Sequence, residues 1–342
     1  MSTHDDIHTA IVNSSTFGRH FPELLDRLEA LGPVERFRFD PEVDGETLVD
    51  ELDGIPYIVA SVTPHFPRTF FEQNEDLLLL ARHGIGCDNV DLAAATDTGV
   101  IVTRIAGEPE RDAVAELSMS LIMACLRDVV PGARATEERD WERRRHFVGR
   151  ELSHMTVGVI GYGNIGSRVG EIIGEGFGAE VLAYDPNIAD PVLAKAGGEP
   201  THLHDLLRRA DLISLNASHN PENFEMIGAA EIELMKDGVF IVNTARGELT
   251  DEDALAEAVA DGKIARLGVD VLQREPIRDD HPFLELDNVI VLPHVGSYTE
   301  RSLRLMDEKN VEDVEKIMNG TVPDEIANPD VLVRGTRAGV GA

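Results

Sequence analysis

The sequence predicts an α/β protein of two domains, each a mainly parallel β-sheet with helices packed on it. Three observations carry this. Short apolar runs alternate with helix-like segments along the whole chain, the pattern of layered α/β units. A length of 342 residues exceeds what one small core needs and suits two. The composition also changes near residue 127, where a charged stretch separates two blocks of strand-like runs.

In chain order, residues 7–13 read as a first strand and 22–31 as an amphipathic helix. Residues 55–61 and 77–81 read as further strands. The second leads into a loop, Arg82-His83-Gly84-Ile85-Gly86-Cys87-Asp88-Asn89. A strand at 100–103 and a helix rich in Ala, Leu and Met at 112–126 complete the first block. The stretch to residue 150 carries the only tryptophan, Trp141, and the run Arg143-Arg144-Arg145 among acids, which reads as a solvated helical face. Strands then follow at 157–160, 181–185, 212–216, 239–243, 267–271 and 289–292, with helices between, the pattern of a doubly wound nucleotide-binding domain. Residues 299–318 form a last helix, and the glycine-rich end, 334–342, is expected to fray.

Charge is the unusual bulk property. There are 63 acidic and 31 basic residues, a net charge of −32, and the acids are spread rather than gathered in a tail. Such a surface repels itself at low ionic strength, and concentrated salt removes that penalty. A salt-rich cytoplasm is therefore the expected setting. Nucleic acid and anionic membranes are disfavoured as partners. Cys87 and Cys125 form no metal or disulfide pattern. Thr201-His202-Leu203-His204-Asp205 reads as a helix start, so no metal is expected. With no signal-peptide pattern and no apolar run long enough to span a bilayer, the protein is expected to be soluble and cytoplasmic.

Gly161-Tyr162-Gly163-Asn164-Ile165-Gly166 follows a strand and opens a helix. In that context Gly161 permits the tight turn, Gly163 lets the backbone approach a pyrophosphate, and Gly166 lets helix and strand pack closely. The phosphates then meet the free N–H groups of the helix N-terminus. Asp185, about twenty residues on and at the next strand end, suits the two ribose hydroxyls and repels a 2′-phosphate. The expected cofactor is NAD.

Three later strands end in polar residues: VFIVNTARG up to Gly247, GVDVLQREP up to Pro276, and VLPHVG up to Gly296. With GYGNIG, YDP (184–186), VNTARGELTDEDAL (242–255), PHVGSYT (293–299), GCDNVDLAAATDTGV (86–100) and DAVAE (112–116), the chain resembles the D-isomer-specific 2-hydroxyacid dehydrogenases over nearly its whole length. The resemblance implies two Rossmann-like or flavodoxin-like domains with an active-site cleft between them: residues 1–127 plus 300–342 for substrate and 128–299 for NAD. It also implies an arm around Trp141 that packs on a second subunit, in a homodimer.

The chemistry explains the residue types. Reduction of a 2-oxo acid needs a hydride at C2 and a proton at its oxygen. Arg246 can hold the carboxylate bidentately and polarise the ketone. His294 exchanges the proton, and Glu275 is expected to fix the ring and favour the imidazolium. The resemblance further assigns the backbone N–H groups of Ile85 and Gly86 to the substrate carboxylate and Asp270 to the nicotinamide carboxamide. Thr244 and Gly296 join the cofactor contacts.

This chain departs from the family in places. Asn216 opens Leu215-Asn216-Ala217-Ser218-His219-Asn220, where relatives often have Leu-His-x-Pro-Leu, and is read as a polar neighbour of the cofactor. Asn164 replaces a basic residue commonly found inside the glycine fingerprint. Arg104 and Arg111 read as surface partners of the abundant acids. The function expected is reversible NAD-linked reduction of a 2-oxo acid to the 2-hydroxy acid. 3-Phosphoglycerate dehydrogenase and glyoxylate or hydroxypyruvate reductase are the alternatives, with Arg82, Arg104 or Arg111 as candidate phosphate ligands. A non-catalytic NAD-sensing corepressor is the reading of another class.

Overall fold

The computed structural model describes residues 8–341, so the start of the expected first strand, at Ile7, lies outside the described residues. Two compact units result: the described residues up to Glu110 together with those from Tyr298 onward, and Arg111–Ser297.

The first unit is a five-stranded parallel sheet. In chain order its strands are β1 (Thr9–Val12), β2 (Val34–Phe37), β3 (Tyr57–Ala60), β4 (Leu79–Arg82) and β5 (Ile101–Thr103), in the spatial order β2-β1-β3-β4-β5. That is the flavodoxin-like order. Residues alternate between two cores. Ile11, Val59 and Leu79 face the core shared with Leu303, Met306 and Val314 of the helix Glu300–Met318. Ala10, Val12 and Ile58 face the other, with Leu48, Leu52 and Phe70. Both faces are covered, so the strands read as unbroken apolar runs. The edge strand β2, sequence VERF, is only half buried and has no such run.

The C-terminal segment completes this unit. Asn328 accepts from Val102 N (2.9 Å) and donates to Val100 O (2.9 Å), extending the hydrogen bonding of edge strand β5. The expected fraying of the last residues is not what the structure shows. Arg337 donates to Phe71 O (3.1 Å) as well as to Asn74 O, and Val340 is buried. The glycines hide this anchoring from the sequence, because the bonds run to carbonyls of a distant helix end.

A buried polar group lies beneath the loop after β4. His83 Nδ1 meets Asn310 Oδ1 at 2.7 Å, and Asp307 accepts from Gly18 N at 2.9 Å. Asp307 Oδ1 lies 3.6 Å from His83 Nε2 and has no hydrogen-bond partner. Burial pushes Asp307 up to about 7 and His83 down to about 4. Arg36 opposes the Asp307 shift and Glu23 reinforces it. The folded chain therefore holds the Asp307 proton from about pH 4 to 7 where the unfolded chain releases it, and this group removes stability as pH rises through that window. Asp307→Asn keeps the acceptor for Gly18 N. It is expected to raise Tm at pH 8 by on the order of 5 °C, with the gain vanishing near pH 4. Calorimetry at both pH values checks this; an equal gain at both would exclude the carboxylate as its source.

The second unit is a seven-stranded parallel sheet of β6 (Thr156–Ile160), β7 (Glu180–Tyr184), β8 (Glu199–Pro200), β9 (Leu212–Leu215), β10 (Val239–Asn243), β11 (Ile264–Val269) and β12 (Val289–Val291). The spatial order is β12-β11-β10-β9-β6-β7-β8, the doubly wound Rossmann arrangement. Along β10, Val239 and Ile241 enter one core while Phe240 and Val242 enter the other.

The first boundary moves relative to the sequence expectation. It falls at Glu110/Arg111 rather than after residue 127, because the helix Gly107–Leu126 lays Ala115, Ile122 and Leu126 against Val157 and Val159 of the second sheet. The second boundary, at Ser297/Tyr298, lies close to the expected one. Among the described residues, no helix is long and apolar enough to cross a membrane.

Candidate active site

The strand order of the second unit reverses between β6 and β9, and open α/β sheets bind ligands outside the strand carboxyl ends at such a point. Gly161 sits there at φ +83°, and a Cβ on it would lie 2.4 Å from the Ala217 backbone. A Cβ on Gly166 would lie 1.9 Å from Gly161 O, so the helix Asn164–Glu171 approaches the strand as only glycine allows. Gly163 differs: a Cβ there would meet nothing within 4 Å. It is the N-cap of that helix and supplies no side-chain cap, leaving the first-turn N–H groups of Asn164 and Ile165 free for an anion.

Asp185 follows β7 and is tied to the same turn. Its Oδ2 accepts from Tyr162 N and its Oδ1 from Asn187 N, each at 2.9 Å. Each oxygen keeps a lone pair for another donor. Asn216, past the end of β9, donates to Ser214 O and Oγ, while its Oδ1 is buried without a partner. A capless helix end, open space at Gly163, a carboxylate at the next strand end and an orphaned amide oxygen fit a dinucleotide.

The second cluster stands on three adjacent strands. Asn243 ends β10 and shapes the following turn, accepting from Ala245 N (3.0 Å) and donating to Arg246 O (2.9 Å). Arg246 Nη1 donates to Ala245 O at 2.6 Å. Asp270 follows β11, its N–H donating to Asn243 O (2.9 Å) and its O accepting from His294 N (2.8 Å). His294 follows β12 with φ +54°, and its Nδ1 lies 2.8 Å from Glu275 Oε2. A carboxylate only accepts, so Nδ1 carries the hydrogen and Nε2 is left for proton exchange. Glu275 is fixed in turn, since its Oε1 accepts from Leu272 N at 3.0 Å. Arg246, Glu275 and His294 thus all follow the carboxyl ends of three adjacent strands of one sheet.

Asp270 does something the sequence did not indicate. It is 1% exposed, and its carboxylate accepts from Val295 N (2.9 Å) and Gly296 N (2.7 Å), latching the loop that carries His294. Burial pushes its pKa up, against the two amides and His294, which favour the carboxylate. Thr244 is buried, with its hydroxyl 2.6 Å from that of Ser118 on the helix Gly107–Leu126. Nothing in the sequence signals these links, because the partners are 25 and 126 residues apart.

Ile85 and Gly86 lie in the first unit, in the loop after β4. Among the described residues their N–H groups have no protein partner, so two successive donors are available to an anion. Arg82 is 3% exposed and donates to His83 O at 2.8 Å. Arg111 lies 3.5 Å from Asp112, and Arg104 is exposed.

Residues 119–296 match the family described as D-isomer specific 2-hydroxyacid dehydrogenase, NAD binding domain. The chain belongs to this family. As a D-isomer specific 2-hydroxyacid dehydrogenase family member, it carries its NAD-binding domain on the second unit. It is 36% identical over 302 residues to a D-3-phosphoglycerate dehydrogenase of Methanocaldococcus jannaschii, covering 88% of this chain and 56% of that protein. It is 30% identical over 318 residues to a glyoxylate reductase of Korarchaeum cryptofilum, covering 92% and 95%. The chain therefore spans little more than half of the first relative and nearly all of the second. Among solved structures, D-lactate dehydrogenase from Aquifex aeolicus, complexed with NAD and lactic acid, superposes with a TM-score of 0.82 at 29% identity, covering 94% of this chain and 99% of that one.

Proposed function

We propose that this member of the family reduces a small, unphosphorylated 2-oxo acid to the (R)-2-hydroxy acid with NADH, and catalyses the reverse oxidation. The observation that carries the reading is the Glu275–His294 pair at 2.8 Å, which follows β11 and β12, the next two strands of the sheet beside the β10 that precedes Arg246. Bound NADH supplies hydride chemistry at C2. Arg246 binds the substrate carboxylate and polarises the carbonyl oxygen. His294 holds at Nε2 the proton that passes to that oxygen, and Glu275 stabilises the ring in the tautomer this requires. The cofactor lies along Gly161, Gly163, Asn164, Ile165 and Gly166, with Asp185 on the ribose. Asn216, Thr244, Asp270 and Gly296 complete its surroundings. Ile85 and Gly86 offer their N–H groups to the substrate carboxylate. Residues from the first unit form the substrate domain and the second unit the NAD domain.

The same reading places the protein in a salt-rich cytoplasm, supported by the net charge of −32. It also makes the protein a homodimer. The exposure of Trp141 (64%) and Val148 (81%) supports an apolar contact there.

Similarity to a D-3-phosphoglycerate dehydrogenase favours a phosphorylated substrate as the second reading. Against it, Arg82 Nη1 donates to the carbonyls of Ala60 and His83. The test is NADH and NADPH oxidation in about 2 M KCl with glyoxylate, hydroxypyruvate, pyruvate, branched 2-oxo acids and 3-phosphohydroxypyruvate. Turnover of an unphosphorylated acid with preference for NADH is expected. Turnover of the phosphorylated acid alone would replace this reading with the second. Silence on the whole panel, with NADH bound, would favour a sensor.

A further inference from the structure

Glu275 lies in the segment that follows β11, and that segment is held from behind by a second carboxylate–histidine pair. Glu252 opens the helix Glu252–Ala260. Its Oε1 accepts from the backbone N–H of Gln273 at 2.8 Å, and its Oε2 lies 3.0 Å from His281 Nε2. The tautomer follows from a third contact. Phe283 N donates to His281 Nδ1 at 3.2 Å, so Nδ1 is the bare nitrogen and Nε2–H donates to Glu252.

Neighbouring amides of one turn therefore go to two carboxylates. Leu272 N–H goes to Glu275, which faces His294, and Gln273 N–H goes to Glu252, which faces His281. The Gln273 side chain adds a bond to Thr250 O at 2.7 Å. On the opposite side the chain next to Arg246 closes in: a Cβ on Gly247 would lie 2.0 Å from the Leu272 carbonyl carbon. Glu252 and His281 are mostly covered, with side-chain exposures of 15% and 12%. A carboxylate–imidazole hydrogen bond held out of water in defined geometry acts as a rigid brace.

We infer that Glu252 and His281 are positioning residues for the reaction: they fix the Leu272–Gln273 peptides so that Glu275 meets His294 at a single distance. The inference rests on the assignment of Glu275 and His294 to proton transfer.

Two substitutions separate the brace from the local fold. His281→Asn places an amide oxygen where Nδ1 accepts from Phe283 N, but is too short to reach Glu252. His281→Gln reaches toward Glu252 and gives up the Phe283 contact. The Asn variant is expected to lose about ten- to a hundredfold in kcat, with KM and the NADH Kd within about twofold of wild type and Tm unchanged. The Gln variant should keep kcat within about threefold while Tm falls. Amide exchange at Leu272 and Gln273 should quicken in the Asn variant alone.

Activity that follows Tm instead of the Glu252 contact would overturn the inference. So would unchanged exchange at Leu272 and Gln273 in His281→Asn, a readout that needs no turnover. A wild-type protein silent on every 2-oxo acid would instead overturn the functional reading, leaving the exchange result to judge the brace.

Discussion

His294→Asn is expected to lower kcat by about a hundred- to ten-thousandfold, the range for loss of a general acid–base group. The NADH dissociation constant, read by fluorescence, should stay nearly unchanged. Asparagine is the informative replacement because His294 stands at φ +54°, a backbone region that asparagine tolerates and alanine does not. The Asn amide can still donate toward Glu275, and the N–H bonds of His294, Val295 and Gly296 to Asp270 are untouched. What disappears is the proton at Nε2. His294→Ala would mix that loss with strain in the loop. A kcat within a few-fold of wild type in the Asn variant would remove His294 from the acid–base role.

Arg246→Lys should be nearly as damaging, with kcat/KM for the 2-oxo acid falling by about a hundred- to a thousandfold. Each charge-assisted hydrogen bond contributes about 1.5–3 kcal/mol, and an ammonium cannot reproduce the planar fork that grips a carboxylate while touching the carbonyl oxygen. The turn itself should survive, since Asn243 holds it through backbone groups of Ala245 and Arg246. Steady-state kinetics alongside an NADH titration makes the test. Unchanged kcat/KM would mean that the substrate carboxylate is held elsewhere.

Much of the fold was legible because its central strands are covered on both faces. Residues such as 239–243 then appear as uninterrupted apolar runs whatever their partners. Two edge strands, β2 and β8, escaped for the converse reason. Val34–Phe37 carries Glu35 and Arg36 on a half-solvated edge, and Glu199–Pro200 is two residues long. The helix Gly107–Leu126 was legible as a helix, but its sheet was not. Apolar side chains at helical spacing do not say which core receives them, and this displaced the first domain boundary.

The sequence by itself determined the α/β class, the family, the dinucleotide turn and the chemical types at Arg246, Glu275 and His294. These reside in short contiguous strings whose backbone demands are local. Only the tertiary structure decided which groups meet. The Glu275–His294 contact, the Asp270 latch, the Ser118–Thr244 contact and the Glu252–His281 brace all join residues far apart in the chain. Their partners are set by strand order and helix packing, and a hydrogen bond depends on tenths of an ångström that a linear pattern does not encode.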